Sequence, residues 1–210
     1  MDYNEIVAAA KAYSDRLDNE VSVNMGTFIV MAESRINRVL KISEQTHRVY
    51  TKTVAGKEFY TLPPEYNGMR FMHLNTGEVD EPSSGVIPVD YVTPEQLSDM
   101  QASGTSSGQF YTILNNQIQL HPTASPDGTI EMVFYRKVPP LSASNQYNWM
   151  SIDYPDIYLS GICAEIELFV KNYEASQLWD TRMTRSIEEL KLNDADKRWA
   201  GNTMIMRIGE

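Results

Sequence analysis

Asn148-Trp149-Met150, then Tyr154-Pro155-Asp156-Ile157-Tyr158-Leu159-Ser160-Gly161, then a long run closing on Lys197-Arg198-Trp199-Ala200-Gly201: the reading of this stretch decides the fold. Pro155 suits a first helical turn, and Asp153 is a candidate cap. Ile157, Gly161, Cys163, Ala164, Leu168 and Phe169 recur at helical steps and draw one apolar stripe to about Val170. Lys171-Asn172 bends or breaks the run, and a further helix is expected over 175–197. There Leu178, Met183, Ile187 and Leu190 keep helical spacing. An aromatic entry, two striped helices and a polar exit make a packing and docking element. Nothing in it is arranged for catalysis.

The opposite end of the chain is helical too. Ile6, Ala10, Tyr13 and Leu17 predict a helix over 3–17, and Asp18-Asn19-Glu20 a break. A second helix is expected from about Asn24 to Ile42, with Asn24 or Ser22 as its N-cap. Phe28, Ala32, Ile36, Val39 and Leu40 form its apolar face, and Arg35, Arg38 and Lys41 lie towards its C-terminus, where cations suit the dipole.

Between the helices the period falls to two. Strands are expected at His47–Val54, Glu58–Leu62, Met69–Leu74, Phe110–Leu114, Gln117–Leu120 and Thr129–Tyr135. Gly85–Val92 is a weaker candidate because Pro88 interrupts it. Thr93-Pro94-Glu95-Gln96 is a capping box with proline at the first helical position, so a short helix is predicted over Pro94–Gln101. Asn115-Asn116 joins a hairpin through a turn that needs positive φ, and Pro126-Asp127-Gly128 marks another turn. Ala102 to Gly108 reads as a flexible loop. The chain is therefore expected to be α+β: a helical bundle formed by N- and C-terminal helices, an inserted antiparallel β module and an extended C-terminal tail. The expected divisions are 1–47 and 141–198 for the bundle, 48–140 for the module and 199–210 for a docking tail.

The chain has 210 residues, 42% of them hydrophobic, which is enough for a sizeable core. It holds no apolar run of membrane-spanning length, and Met1-Asp2-Tyr3-Asn4-Glu5 lacks the pattern of a signal peptide. A protein assembled in a cytosol is expected, and the single cysteine, Cys163, agrees. The net charge of −10 is spread along the chain. Dispersed acid opposes tight DNA binding, which needs gathered cations, and serves solubility.

The chemistry-bearing residues do not cluster. His47, His73 and His121 fall on separate elements with no metal-ligand spacing. Cys163 sits on an apolar helical face as a small hydrophobe. Glu165 and Glu167 point to different sides of a helix, and Glu78-Val79-Asp80-Glu81 reads as a solvated loop. Gly104-Thr105-Ser106-Ser107-Gly108 lacks the lysine and helix of a phosphate loop. No catalytic residue, cofactor or metal is expected. In the last ten residues Met204, Met206 and Ile208 alternate beside Ile205 and Arg207. This segment can add to a partner's sheet edge or groove, or fold back on its own domain; the residues alone leave both open.

Five pieces in order resemble the adaptor (head–tail connector) family of tailed phages, the short-tailed ones especially. They are Tyr60-Thr61-Leu62-Pro63-Pro64-Glu65-Tyr66; Val92 to Leu97 with Gly104-Thr105; Tyr111-Thr112-Ile113 with Asn116 to Pro122; Tyr135 to Leu141; and Asn148-Trp149 through Gly161 with Glu165 and Trp179. The match covers most of 20–201. The resemblance implies a non-enzymatic virion protein in a ring, usually of twelve copies, between the portal and the tail nozzle or tail tube. DNA would pass through the lumen without sequence-specific binding. It also implies partner contacts in the C-terminal segment, here Trp199, Met204, Ile205, Met206 and Ile208. Two other classes stay in view: a tail-tube, stopper or tail-terminator component, and a carbohydrate-binding β module using Tyr50, Phe59, Tyr60, Tyr66 and Tyr111 as an aromatic platform.

Overall fold

The computed structural model describes residues 1–75, 85–104, 107–124 and 128–199. Among them are six α-helices and a seven-stranded sheet, so the protein is mixed α+β. The chain divides into two compact units. One combines Met1–Ser43 with the chain from Val138 onward, and the other is the continuous segment Glu44–Lys137.

In the first unit α1 (Tyr3–Tyr13) starts on a capping box. The Glu5 N–H donates to Asp2 Oδ1 (2.7 Å) and the Asp2 N–H to Glu5 Oε2 (2.9 Å). The helix ends four residues earlier than its periodicity suggests. The Ser14 hydroxyl bonds back to the Ala10 carbonyl (2.8 Å), Asp15 takes a φ of +52°, and Leu17 is 83% exposed. α2 (Asn19–Val39) begins before the expected caps. Ser22 and Asn24 lie inside it, their side chains donating to the Asp18 and Glu20 carbonyls. A short α4 (Trp149–Asp153), capped by Asn148, precedes α5 (Pro155–Phe169); Asp153 ends α4 and caps nothing. Lys171, at φ +62°, turns the chain into α6 (Tyr173–Trp199).

α5 is the central helix and packs against α1, α2, α4 and α6. Ile157, Tyr158, Ile162, Cys163 and Ile166 are fully buried in it, while Leu168 and Phe169 at its end are exposed. Gly161 is the point of closest approach. A Cβ there would lie 3.1 Å from Ala32 Cβ on α2 and 3.2 Å from Met183 Sδ on α6.

The second unit is one curled sheet in the order β1-β7-β3-β4-β5-β6-β2. Its strands are β1 (Thr46–Lys52), β2 (Phe59–Thr61), β3 (Tyr66–Asn75), β4 (Val86–Tyr91), β5 (Gln109–Leu114), β6 (Gln117–His121) and β7 (Thr129–Arg136). Its core holds Tyr60, Met72, Leu74, Ile118, Met132 and Phe134, all from one face. Register shifts along β3 between Tyr66 and Gly68 and between Met69 and Phe71 are irregularities of the kind that bend a strand.

The sheet is not purely antiparallel, as the sequence reading had it: β4 and β5 run parallel. A parallel pair needs a crossover, and α3 (Pro94–Ser103) supplies it. Its capping box is complete, with the Gln96 N–H on Thr93 Oγ1 (3.3 Å) and the Thr93 N–H on Gln96 Oε1 (3.0 Å). Pro88 is tolerated inside the sheet because it stands where β4 changes partner. Val86 to Pro88 pair with β3, and Val89 to Tyr91 pair with β5. The predicted Asn115-Asn116 turn is present, with Asn115 at φ +54°.

Gly161→Leu should overpack the junction of α2, α5 and α6 and cost about 1–3 kcal/mol or more. Thermal unfolding monitored by circular dichroism should show a lowered midpoint. Gly161→Ala should be much milder, because helix propensity gains about 1 kcal/mol and offsets the close contact.

Candidate functional site

The side chains of the first unit that do more than pack form a buried polar network around Glu33. Its position on α2 lies within the apolar stripe, beside Ala32 and between Ile29 and Ile36. Glu33 Oε1 accepts from the Leu141 N–H (2.7 Å) and from the Tyr158 hydroxyl (2.9 Å). The Tyr158 oxygen accepts from Asn148 Nδ2 (2.7 Å), which also reaches the Pro139 carbonyl (2.7 Å). One turn along α2, Asn37 Oδ1 accepts from the Val138 N–H (2.8 Å). The chain returning at 138–148 is thus held to α2 through its own backbone and to α5 through the Asn148 side chain. Burial raises the Glu33 pKa from its ordinary value of 4.5, against the lowering effect of the Leu141 and Tyr158 hydrogen bonds. Burial, with the Glu33 charge beside it, likewise pushes the Tyr158 phenol far up.

A second cluster ties three helices near the surface. Arg35 on α2 reaches Glu165 on α5 (Nη1 to Oε1, 3.2 Å) and Asp180 on α6. At the far end of α6, Asp194 accepts from the Ser43 backbone and hydroxyl and pairs with Arg198 (2.8 Å). The last turn of α6 is therefore fixed where the C-terminal segment begins.

Of the expected docking residues, Trp199 closes α6; its side chain, and Met204, Ile205, Met206 and Ile208, lie outside the described residues. So do the 78–81 loop, residues 105–106 of the glycine loop and the Pro126-Asp127 turn. The three histidines stay apart. His47 stacks edge-on to Phe134, His73 lies beside Phe71 and 3.8 Å from Glu131, and His121 pairs with Phe110 across the β5–β6 hairpin. Among the described residues no group of three or more His, Cys, Asp or Glu is placed to hold a metal, and no helix is long and apolar enough to cross a membrane. The aromatic platform is not assembled: Tyr60 and Tyr111 are in the core, while Tyr50 and Phe59 are exposed on strands at opposite ends of the sheet order.

The Glu33 network was not anticipated from sequence, although a glutamate inside an apolar stripe and the Asn148–Ser151 capping spacing were its visible traces. Outside the networks, several apolar side chains face solvent: Val23, Val30 and Met31 on α2, and Tyr173, Leu178 and Leu192 on α6.

Two outcomes follow for this region. A carboxyl whose pKa rises on folding holds its proton more tightly in the native state. Its contribution is complete below the unfolded value and is lost as pH rises through the folded one. Glu33→Gln keeps an acceptor for both donors, so urea unfolding from about pH 4 to 8 should show stability shifting in favour of the variant as pH rises. A difference that stays flat with pH would contradict the raised pKa. Second, burial pushes the Cys163 thiol up to about 12, the Glu167 charge adding and Arg182 opposing. Its reaction with Ellman's reagent at neutral pH should be about a thousandfold slower in native protein than in denaturant.

The sequence of this chain matches the family model described as SU10 adaptor protein over residues 1–207. No curated protein matches the chain. A match spanning nearly every residue fixes the affiliation: the chain belongs to the SU10 adaptor protein family of phage head–tail adaptors, and is a structural component of a virion.

Proposed function

We propose that this protein is one subunit of an adaptor ring that joins the portal to the tail nozzle or tail tube and lines the channel through which DNA leaves the head. The observation that carries the reading is the family match over residues 1–207. In this reading the helices of 1–47 and 141–198 form one bundle, 48–140 is a module inserted into it, and 199–210 is an extended docking tail. Trp199, Met204, Ile205, Met206 and Ile208 contact the portal or the neighbouring subunit. The ring is a dodecamer, assembled in the host cytoplasm.

Several features support this. The exposed apolar side chains on α2 and α6 suit burial against neighbouring copies. The anchoring of the last turn of α6 by Ser43 and Arg198 gives the tail a fixed point of departure. The net charge of −10 suits a channel wall that DNA passes without adhering.

Electron microscopy of the purified protein, alone and mixed with portal rings, tests the proposal. Ring density added to the tail-facing end of the portal is expected. Protein that never joins portals, even in excess, would overturn the reading. Deletion of 202–210 should leave thermal unfolding unchanged but weaken attachment by tenfold or more, about 1.4 kcal/mol. Unchanged attachment of the truncated protein would remove the tail from the interface.

A further inference from the structure

The outer face of β1, β7 and β3 departs from the charge of the rest of the chain. Successive rows across the three strands read Arg48–Val133–Phe71, Tyr50–Glu131–His73 and Lys52–Thr129–Asn75. Arg70 lies at the head of these rows, its guanidinium over the Tyr135 ring (5.5 Å) and its Nη1 on Thr46 Oγ1 (2.9 Å). Three cations thus share a face with exposed Tyr50 (42%) and Phe71 (38%). Glu131 is the acid in these rows, and Arg48 Nε already engages it at 3.1 Å.

The same strand is an edge. β1 stands first in the sheet order and, among the described residues, pairs with β7 alone. Alternate N–H and C=O groups of a seven-residue edge strand therefore point away from the sheet. Arg48, Tyr50 and Lys52 alternate along it on one face.

We propose that β1 receives an extended acidic segment of a partner protein as an added strand. Backbone hydrogen bonds along the edge would hold the segment. Its alternate carboxylates would stand on the face of Arg48, Tyr50 and Lys52, within cross-strand distance of the two cations, and its remaining side chains would lie on the other face, by Val49 and Thr51. A second copy of β1 is the wrong occupant, because pairing two such edges sets cations against cations. A nucleic acid fits less well. It needs many gathered cations, and this face offers three on a chain of net charge −10. A strand supplies backbone donors and acceptors as well as charge.

Fluorescence anisotropy on the full chain tests this with a labelled alternating Glu–Thr peptide of about nine residues. The comparators are its Lys–Thr counterpart, a version N-methylated at alternate backbone positions, and oligothymidine. Saturable binding of the Glu–Thr peptide is expected, lost with Lys–Thr. Binding should weaken about fivefold or more both on N-methylation and in the Arg48→Gln/Lys52→Gln variant. Thermal unfolding of the variant should match that of wild type; if the variant fails to fold, the two Glu–Thr peptides on wild-type protein decide. Absence of saturable binding at millimolar peptide, equal binding of the N-methylated peptide, or oligothymidine binding more tightly than the peptide would each overturn the proposal.

Discussion

The helical unit depends on one buried carboxyl. A carboxyl taken out of water is costly unless its oxygens are occupied, and Glu33 meets that demand with the Leu141 N–H and the Tyr158 hydroxyl. Those two donors come from segments more than a hundred residues away in sequence, so the interaction exists only when α2, the returning chain and α5 are all in place. It also sets register. Ala32, next to Glu33, is the residue against which Gly161 closes, and Gly161 lies one turn beyond Tyr158. A slide of α5 along α2 by one turn would strand the carboxyl and drive a side chain into the close contact. Polar satisfaction and close packing thus select the same alignment, which is how a core obtains one arrangement and not several.

Much of the fold was legible where local chemistry decides alone. The Thr93–Gln96 capping box, the Asn115-Asn116 turn, Pro155 in a first turn and the break at Lys171 each follow from backbone geometry that few residues satisfy. Periodicity was a weaker guide at helix ends. Leu17 and Leu178 keep the helical step but are exposed, because a repeat shows which residues share a face and not whether that face is covered. α4 escaped detection since five residues carry too little pattern. The parallel pairing of β4 with β5 was not visible either. Strand direction is decided by the path of the connecting helix, and Pro88 looked like a defect until it stood at a change of partner.

The candidate sites were legible to a lesser degree. The affiliation with adaptors was readable from five ordered segments. The Glu33 network was not, since Glu33, Asn148 and Tyr158 are joined only by tertiary structure. The aromatic platform illustrates the converse. Tyr60 and Tyr111 look like ligand-binding residues in sequence, but the curl of the sheet turns both inward, and burial raises the Tyr111 phenol to about 12.

The division of the helical unit into two stretches of chain has a consequence for the growing polypeptide. Residues 44–137 form one compact unit from a continuous segment of chain, so that unit can close as soon as it clears the ribosome. α1 and α2 emerge earlier yet must wait, because Asn37, Glu33 and Ser43 find their partners at Val138, Leu141 and Asp194. During that interval the apolar faces of α1 and α2 have no α5 to cover them. The stretch made first, α1 and α2, is covered last, and the interval in which it needs shielding from aggregation is set by the rate of translation through the sheet.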